Sequence, residues 1–320
     1  MSDSEVPQQP GHIAIIGGGS IGRSFAIVFA GAGFEVRIFE PAAEQRSGIG
    51  ETIARNCDDL RDYGLLEVDQ ETIDSRISVA DSVTETVANA SLVQECAPED
   101  LETKRRLFAE LDAAAGPDVP LASSSSAITA SEFAAGLSGA HRCLVAHPGN
   151  PPTLISVIEL AGAPFTSPET LANAAALYRD AGLRPIDVHG EPKGFVFNRL
   201  QGAMLREAYC LVRDGVASVE DIDTVVRDGL GLRWSVIGPF ETADLNRRGG
   251  IAAHAAIMGE AYAAMGAERG QHDPWTPELV SKVDAERRSL LPLSEWDERV
   301  RWRDRQIMAT LAARRSRNKA

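Results

Sequence analysis

Residues 13–40 constrain the fold more than any other stretch of the chain. An apolar run, Ile13-Ala14-Ile15-Ile16, enters a glycine turn, Gly17-x-Gly19-x-x-Gly22. A helical pattern follows, and then Glu35-Val36-Arg37-Ile38-Phe39-Glu40. Strand, turn, helix, strand and terminal acid in that order predict a βαβ unit that opens a parallel sheet. Each glycine has its own task. Gly17 permits the tight turn, Gly19 lets backbone approach a pyrophosphate, and Gly22 lets the helix pack close to the sheet. The helix N-terminus adds free N–H groups and the positive end of its dipole. Glu40 stands 18 residues after Gly22, where a carboxylate accepts hydrogen bonds from an adenosine ribose. Its charge repels a 2′-phosphate, so the motif points to NAD rather than NADP.

The chain has 320 residues, enough for two domains. Its net charge of −14 argues against a nucleic-acid partner and requires any acid-binding pocket to be locally basic. Cys57, Cys96, Cys143 and Cys210 form no CxxC pair and no metal spacing. They read as reduced thiols of a cytoplasmic protein without a metal site. Residues 1–10 are polar and lack a basic start, so they read as a loose tail and not a signal peptide. No apolar run reaches membrane-spanning length.

Strand-like runs recur at 13–17, 35–39, 90–96, 119–123, 142–147, 155–160 and 184–188. Helical patterns lie between them at 20–32, 42–64, 98–115, 129–136 and 168–182, and 64–90 reads as an acidic linker with a further helix or strand. The alternation predicts an α/β, Rossmann-like, doubly wound sheet over residues 11–190. After Gly190-Glu191-Pro192 the strand signal ends. Helical patterns at 194–214, 218–229, 239–265, 276–288 and 295–315 predict an all-helical domain over 191–320. Ser218, followed by Glu220 and Asp221, reads as a helix N-cap. Leu200, Met204, Ala208 and Leu211 form a stripe expected to be buried, and the helical domain is expected to pair two copies of the chain.

Two segments carry candidate chemistry. In Leu144-Val145-Ala146-His147-Pro148-Gly149-Asn150-Pro151-Pro152, a parallel strand delivers His147 to the carboxyl edge of the sheet, where doubly wound folds bind ligands. Glu159 lies near the end of the next apolar run. If these two strands are neighbours and end together, the carboxylate fixes the imidazole tautomer and stabilises its protonated form, which a general base needs. The serine run 123–126 also falls at the carboxyl edge and offers a hydroxyl to a substrate oxygen. No Gly-x-Ser-x-Gly elbow surrounds it, which argues against a serine nucleophile. In Gly194-Phe195-Val196-Phe197-Asn198, the Asn198 amide on the first helical turn can donate and accept at once.

From Ile13 to about Leu245 the chain resembles the 3-hydroxyacyl-CoA dehydrogenase superfamily, and within it the lambda-crystallin branch, which includes L-gulonate 3-dehydrogenase. The resemblance rests on His147-Pro148-x-Asn150-Pro151-Pro152 with Glu159. It rests also on Gly229-Leu230-Gly231-Leu232-Arg233-Trp234, Ile237-Gly238-Pro239-Phe240-Glu241-Thr242 and Leu245-Asn246. It implies a catalytic set of Ser126, His147, Glu159 and Asn198. It further implies that Gly17, Gly19, Ser20, Ile21, Gly22 and Glu40 hold the adenosine and pyrophosphate of NAD. Glu99, Lys104, Ser124 and Asn150 match further cofactor positions. Arg233 is the candidate for a substrate carboxylate. Two departures stand out: the branch usually has a larger residue at Gly149, whose absence is expected to open the pocket, and proline at Ser156. The expected reaction is NAD-dependent oxidation of the 3-hydroxyl of a small hydroxy acid or sugar acid. A 3-hydroxyacyl-CoA or L-carnitine is the alternative substrate, and a non-enzymatic crystallin-like role is a second alternative. Residues 42–64 contain no lysine, which disfavours CoA. Trp234 and Phe240 are the candidates for a quaternary-ammonium cage.

Overall fold

A computed structural model of the chain describes residues 11–235, 238–245 and 250–269, with scattered positions from 278 to 313. The expected tail 1–10 and most of the helices expected at 276–288 and 295–315 lie outside the described residues, as do Ile237 and Asn246. The chain divides into two compact units, one of residues 1–199 and 300–320 and the other of residues 200–299.

The first unit follows the order β1 (His12–Ile16), α1 (Ser20–Gly31), β2 (Val36–Phe39), α2 (Ala43–Ser47), α3 (Ile49–Asp62), α4 (Gln70–Arg76), β3 (Ile77–Ala80) and α5 (Val83–Val87). It continues through β4 (Ala90–Glu95), α6 (Leu101–Ala114), β5 (Leu121–Ser123), α7 (Ala130–Ala134), β6 (Cys143–Pro148), β7 (Val157–Gly162), α8 (Pro168–Asp180) and β8 (Arg184–Val188). The eight strands form one sheet in the order β3-β2-β1-β4-β5-β6-β7-β8. All pairings are parallel except β6–β7, which is antiparallel. Alternation of side chains along β1 feeds two cores. Ile13 and Ile15 pack with Phe25, Phe29 and Tyr178 on one face. Ala14 and Ile16 join Phe108, Leu111 and Phe133 on the other. Helices on both faces thus cover the sheet, as a parallel sheet requires.

The structure corrects two local readings, at 42–64 and 155–160, and resolves the helix or strand expected within 64–90 as α4, β3 and α5. The helix expected at 42–64 is two helices, α2 and α3, which break at Gly48. The short edge strand β3 pairs only with β2, and two of its four residues are exposed, so its apolar pattern is weak. The strand expected at 155–160 runs from 157 to 162 and is reversed relative to β6.

The second unit is helical among its described residues. It holds most of α9 (Phe197–Arg213), then α10 (Val219–Thr224), a π-helical turn at Val225–Leu230, α11 (Gly231–Trp234), α12 (Pro239–Leu245) and α13 (Gly250–Arg269). Ser218 caps α10 by accepting the Asp221 N–H. Of the helix expected at 239–265, α12 and α13 are described, and residues 246–249 lie outside the described residues. The stripe expected to be buried is not: Leu200 is 63% exposed and Met204 37%, while Cys210 and Val212 are the buried residues of α9. No helix among the described residues is long and apolar enough to cross a membrane.

Candidate active site

The glycine turn sits at the carboxyl ends of β1 and β4. Gly17 has φ +108°, and a Cβ there would lie 2.7 Å from the Cys96 carbonyl oxygen, so the position admits only glycine. A Cβ on Gly22 would lie 1.9 Å from the Gly17 oxygen, so α1 packs directly on the turn. Gly19 differs: a Cβ there would meet nothing within 4 Å. That open space over the first turn of α1, where Ser20, Ile21 and Gly22 lack intrahelical acceptors for their N–H groups, fits a dinucleotide diphosphate. Glu40, at the end of β2, is buried. Its carboxylate already accepts the N–H groups of Gly18 at 2.8 Å and Ala42 at 3.0 Å. Each oxygen keeps a further lone pair with which to accept a ribose hydroxyl.

His147 and Glu159 are partners in the β6–β7 ladder, directly opposite one another. Residues paired in this way project from the same face of the sheet. Nδ1 of His147 lies 2.7 Å from Oε2 of Glu159. The expectation that the two strands end together is corrected. β6 ends at the site and β7 begins there, so the pair is held by cross-strand register. The other oxygen of Glu159 accepts the N–H groups of Val196 at 2.7 Å and Phe197 at 2.8 Å. Gly194 (φ +76°) and Phe195 (φ +47°) precede them in left-handed backbone, which aims two successive amides at one oxygen. Phe195 is non-glycine and 1% exposed, so the packed surroundings hold a conformation that costs energy. Its ring centroid lies 5.8 Å from that of His147, and the Phe197 ring meets the imidazole edge-on at 6.3 Å. Burial alone would raise the Glu159 carboxyl. The hydrogen bonds from His147, Phe197 and Val196 outweigh it and hold the group below its usual range. Nε2 of His147 has no acceptor or donor among the described residues.

Asn198 comes next in α9, and its Nδ2 donates to the Ser126 carbonyl at 3.3 Å. Ser126, Asn198, Glu159 and His147 therefore lie along one hydrogen-bonded path, broken only by the single backbone step from Phe197 to Asn198. The serine loop is held from below by Glu99. Its Oε1 accepts the Ser125 hydroxyl at 2.6 Å and the N–H groups of Ser126 at 3.0 Å and Ala127 at 2.9 Å. These bonds, with the charge of Lys104, overcome the burial that would raise the Glu99 carboxyl and keep it low. Lys104 is fully buried, with Nζ 2.9 and 3.0 Å from the two oxygens of the equally buried Glu95 and 3.6 Å from Glu99. The structure thus seats Lys104 beneath the loop and away from any surface a cofactor could reach. Ser123 also donates to Glu95. Ser124 is half-buried and donates its N–H to the Glu95 carbonyl at 2.9 Å. Thr129, not a serine, begins α7, with its N–H on Glu132.

Sequence reasoning missed the amides of Val196 and Phe197 and the pair Glu95–Lys104. An acid ending the apolar run 90–95 was the available signal for the latter.

Asn150 is exposed just beyond β6. Gly149 opens no pocket: a Cβ there would lie 2.2 Å from Cγ2 of Ile155, so that side chain already fills the space. Arg233 is exposed on α11 in the helical unit. Phe240 is 79% exposed, and among the described residues neither it nor Trp234 has a ring partner.

Residues 12–191 match the family described as 3-hydroxyacyl-CoA dehydrogenase, NAD binding domain, and residues 194–294 match its C-terminal domain. A lambda-crystallin homolog of Bos taurus is 44% identical over 242 residues, covering 75% of each chain. An L-carnitine dehydrogenase of a Pseudomonas species is 36% identical over 274 residues, covering 84% of this chain and 82% of that one. Among solved structures, 5-formyl-3-hydroxy-2-methylpyridine 4-carboxylic acid 5-dehydrogenase, an NAD+-dependent dismutase, superposes with a TM-score of 0.81. It is 27% identical, with 95% and 97% of the two chains covered.

Proposed function

Since the chain belongs to the 3-hydroxyacyl-CoA dehydrogenase family, we propose that it oxidises the 3-hydroxyl of a small hydroxy acid or sugar acid, of the L-gulonate type, to the 3-keto acid. It is an NAD-dependent oxidoreductase acting on a CH–OH group. Bound NAD supplies the hydride acceptor. Every other task falls to side chains of this protein. His147 takes the hydroxyl proton at Nε2, because Glu159 occupies Nδ1 and leaves that nitrogen as the only basic one. Glu159 stabilises the imidazolium that results. Ser126 and Asn198 hold the reacting oxygen, and Arg233 is assigned to the substrate carboxylate. The observation that carries the reading is the 2.7 Å His147–Glu159 contact, clamped in turn by two backbone amides.

An acyl-CoA substrate is disfavoured by the surface after β2. Arg46 is spent on the Glu40 carbonyl and Asp81, and Arg61 on Asp58 and Gln70. That leaves Arg55 as the basic residue of 42–64 without an ion pair among the described residues. L-carnitine is the second reading, favoured by the 36% identical relative. A purely structural role is disfavoured by the presence together of Ser126, His147, Glu159 and Asn198, which such a role would not need. The exposed stripe of α9, with Leu200 and Met204, supports a homodimer, and four free cysteines support a cytoplasmic protein.

An NADH-absorbance screen against 3-hydroxy acids, sugar acids, L-carnitine and 3-hydroxybutyryl-CoA tests the substrate class. His147→Ala should lose about 10²–10⁴-fold in turnover with NAD binding retained. Near-normal turnover in that variant would refute the assignment. Arg233→Ala should raise KM for the acid, and an unchanged KM removes Arg233 from the site.

A further inference from the structure

Gly18 is pinned on both of its peptides. Its N–H donates to Oε2 of Glu40 at 2.8 Å, and its carbonyl accepts from Nη1 of Arg23 at 3.0 Å. In a planar trans peptide, N–H and C=O point in opposite directions. Turning the Gly18 carbonyl toward Arg23 therefore turns the Gly19 N–H away from it. That N–H has no acceptor among the described residues, and the space beside Gly19 is open.

Arg23 is itself unusual. It is half-buried in α1, takes part in no ion pair among the described residues, and has a buried Nε without an acceptor. Burial first, and then the charge of Arg55, weaken its hold on its proton, against the pull of Glu40. A partly desolvated guanidinium lacking a counter-ion is costly, and an anion over the turn offsets that cost. Lysine or alanine would serve equally well if α1 needed only a surface residue here.

We propose that Arg23 is a positioning residue for the cofactor diphosphate: it orients the Gly18–Gly19 peptide so that the Gly19 N–H meets a phosphate oxygen, and places a positive charge one peptide away. The labour is divided around Gly18. Glu40 anchors the peptide on the ribose side, and Arg23 the peptide on the phosphate side. The proposal rests on NAD as the cofactor.

Calorimetric titration of the full chain with NAD+, ADP-ribose and adenosine tests it. Arg23→Ala should weaken NAD+ and ADP-ribose about 10- to 30-fold and leave adenosine within about twofold. Turnover at saturating NAD+ should stay within about twofold, and Arg23→Lys should recover affinity to within about threefold. Unchanged NAD+ affinity in Arg23→Ala overturns the proposal. So does an adenosine loss as large as that of NAD+, which marks a general defect of the fold. Should the alanine variant fail to fold, Arg23→Met keeps the aliphatic stem, and parental NAD+ affinity there overturns the proposal equally. A parent chain that binds no NAD+ overturns the cofactor reading itself, a result distinct from parental binding that Arg23 substitutions leave untouched.

Discussion

Replacing Glu159 by glutamine removes one charge while keeping the shape, and the hydrogen-bond geometry dictates the outcome. Oε1 must accept two amides, from Val196 and Phe197. A carboxamide has one acceptor oxygen, so that oxygen goes to the amides and the NH2 group faces Nδ1 of His147. Nδ1 must then accept, the ring proton moves to Nε2, and the nitrogen that receives the substrate proton is blocked. The loss is that of general-base catalysis, about 10²–10⁴-fold in kcat, or roughly 3–5 kcal/mol of barrier. Stability should change by no more than about 1 kcal/mol, because both amides keep their acceptor. Glu159→Ala behaves differently. It leaves the part-buried N–H groups of Val196 and Phe197 without their acceptor, at a cost of about 1–3 kcal/mol in all, and frees the start of α9 with Asn198. Initial rates by NADH absorbance and denaturant unfolding separate the two variants. A glutamine variant with kcat within about fivefold of the parent, or one as unstable as the alanine variant, refutes the reasoning.

Other parts of the molecule carry their own expected outcomes. Gly19→Ala should unfold at the parental temperature yet lose NAD binding, because its Cβ enters space that only the cofactor needs, whereas Gly22→Ala should lose stability as well. Thermal-shift and binding measurements on both distinguish these effects. Acid should destabilise the fold in two steps. Burial lowers the proton affinity of His12, so its contribution is present above pH 6.5 and is lost as pH falls. Glu99 and Glu159 titrate below the ordinary 4.5, so their contribution is present above that value and disappears below it. His12→Gln should flatten the upper step in a pH series of melting temperatures and leave the lower one intact. Leu200→Glu with Met204→Glu should shift the chain from dimer to monomer in sedimentation, and an unchanged mass would exclude α9 from the interface.

The βαβ opening was legible in the sequence because its signals are local: a continuous apolar run that becomes the fully buried β1, three glycines with distinct steric duties, and an acid at a fixed distance. The His147–Glu159 partnership was legible as a pair but not as a geometry. The expected strands 142–147 and 155–160 leave only seven residues between them, too few for a parallel crossover. That arithmetic already requires the reversal seen in β7. The burial of Lys104 was not legible, because a lysine nine residues beyond Glu95 meets it only when α6 folds back beside β4. The α9 stripe misled for a related reason. Periodicity identifies an apolar face, but what covers that face is decided outside the helix.

The turn 149–156 that joins β6 to β7 is closed by the Gly149 N–H on the Val157 carbonyl at 2.9 Å. Register, and not the path of this turn, sets the separation of base and carboxylate. Substitutions or insertions among residues 151–154 are therefore expected to leave the spacing of the proton-transfer pair unchanged as long as the β6–β7 pairing holds, so the geometry of proton transfer is insulated from changes in the connecting chain.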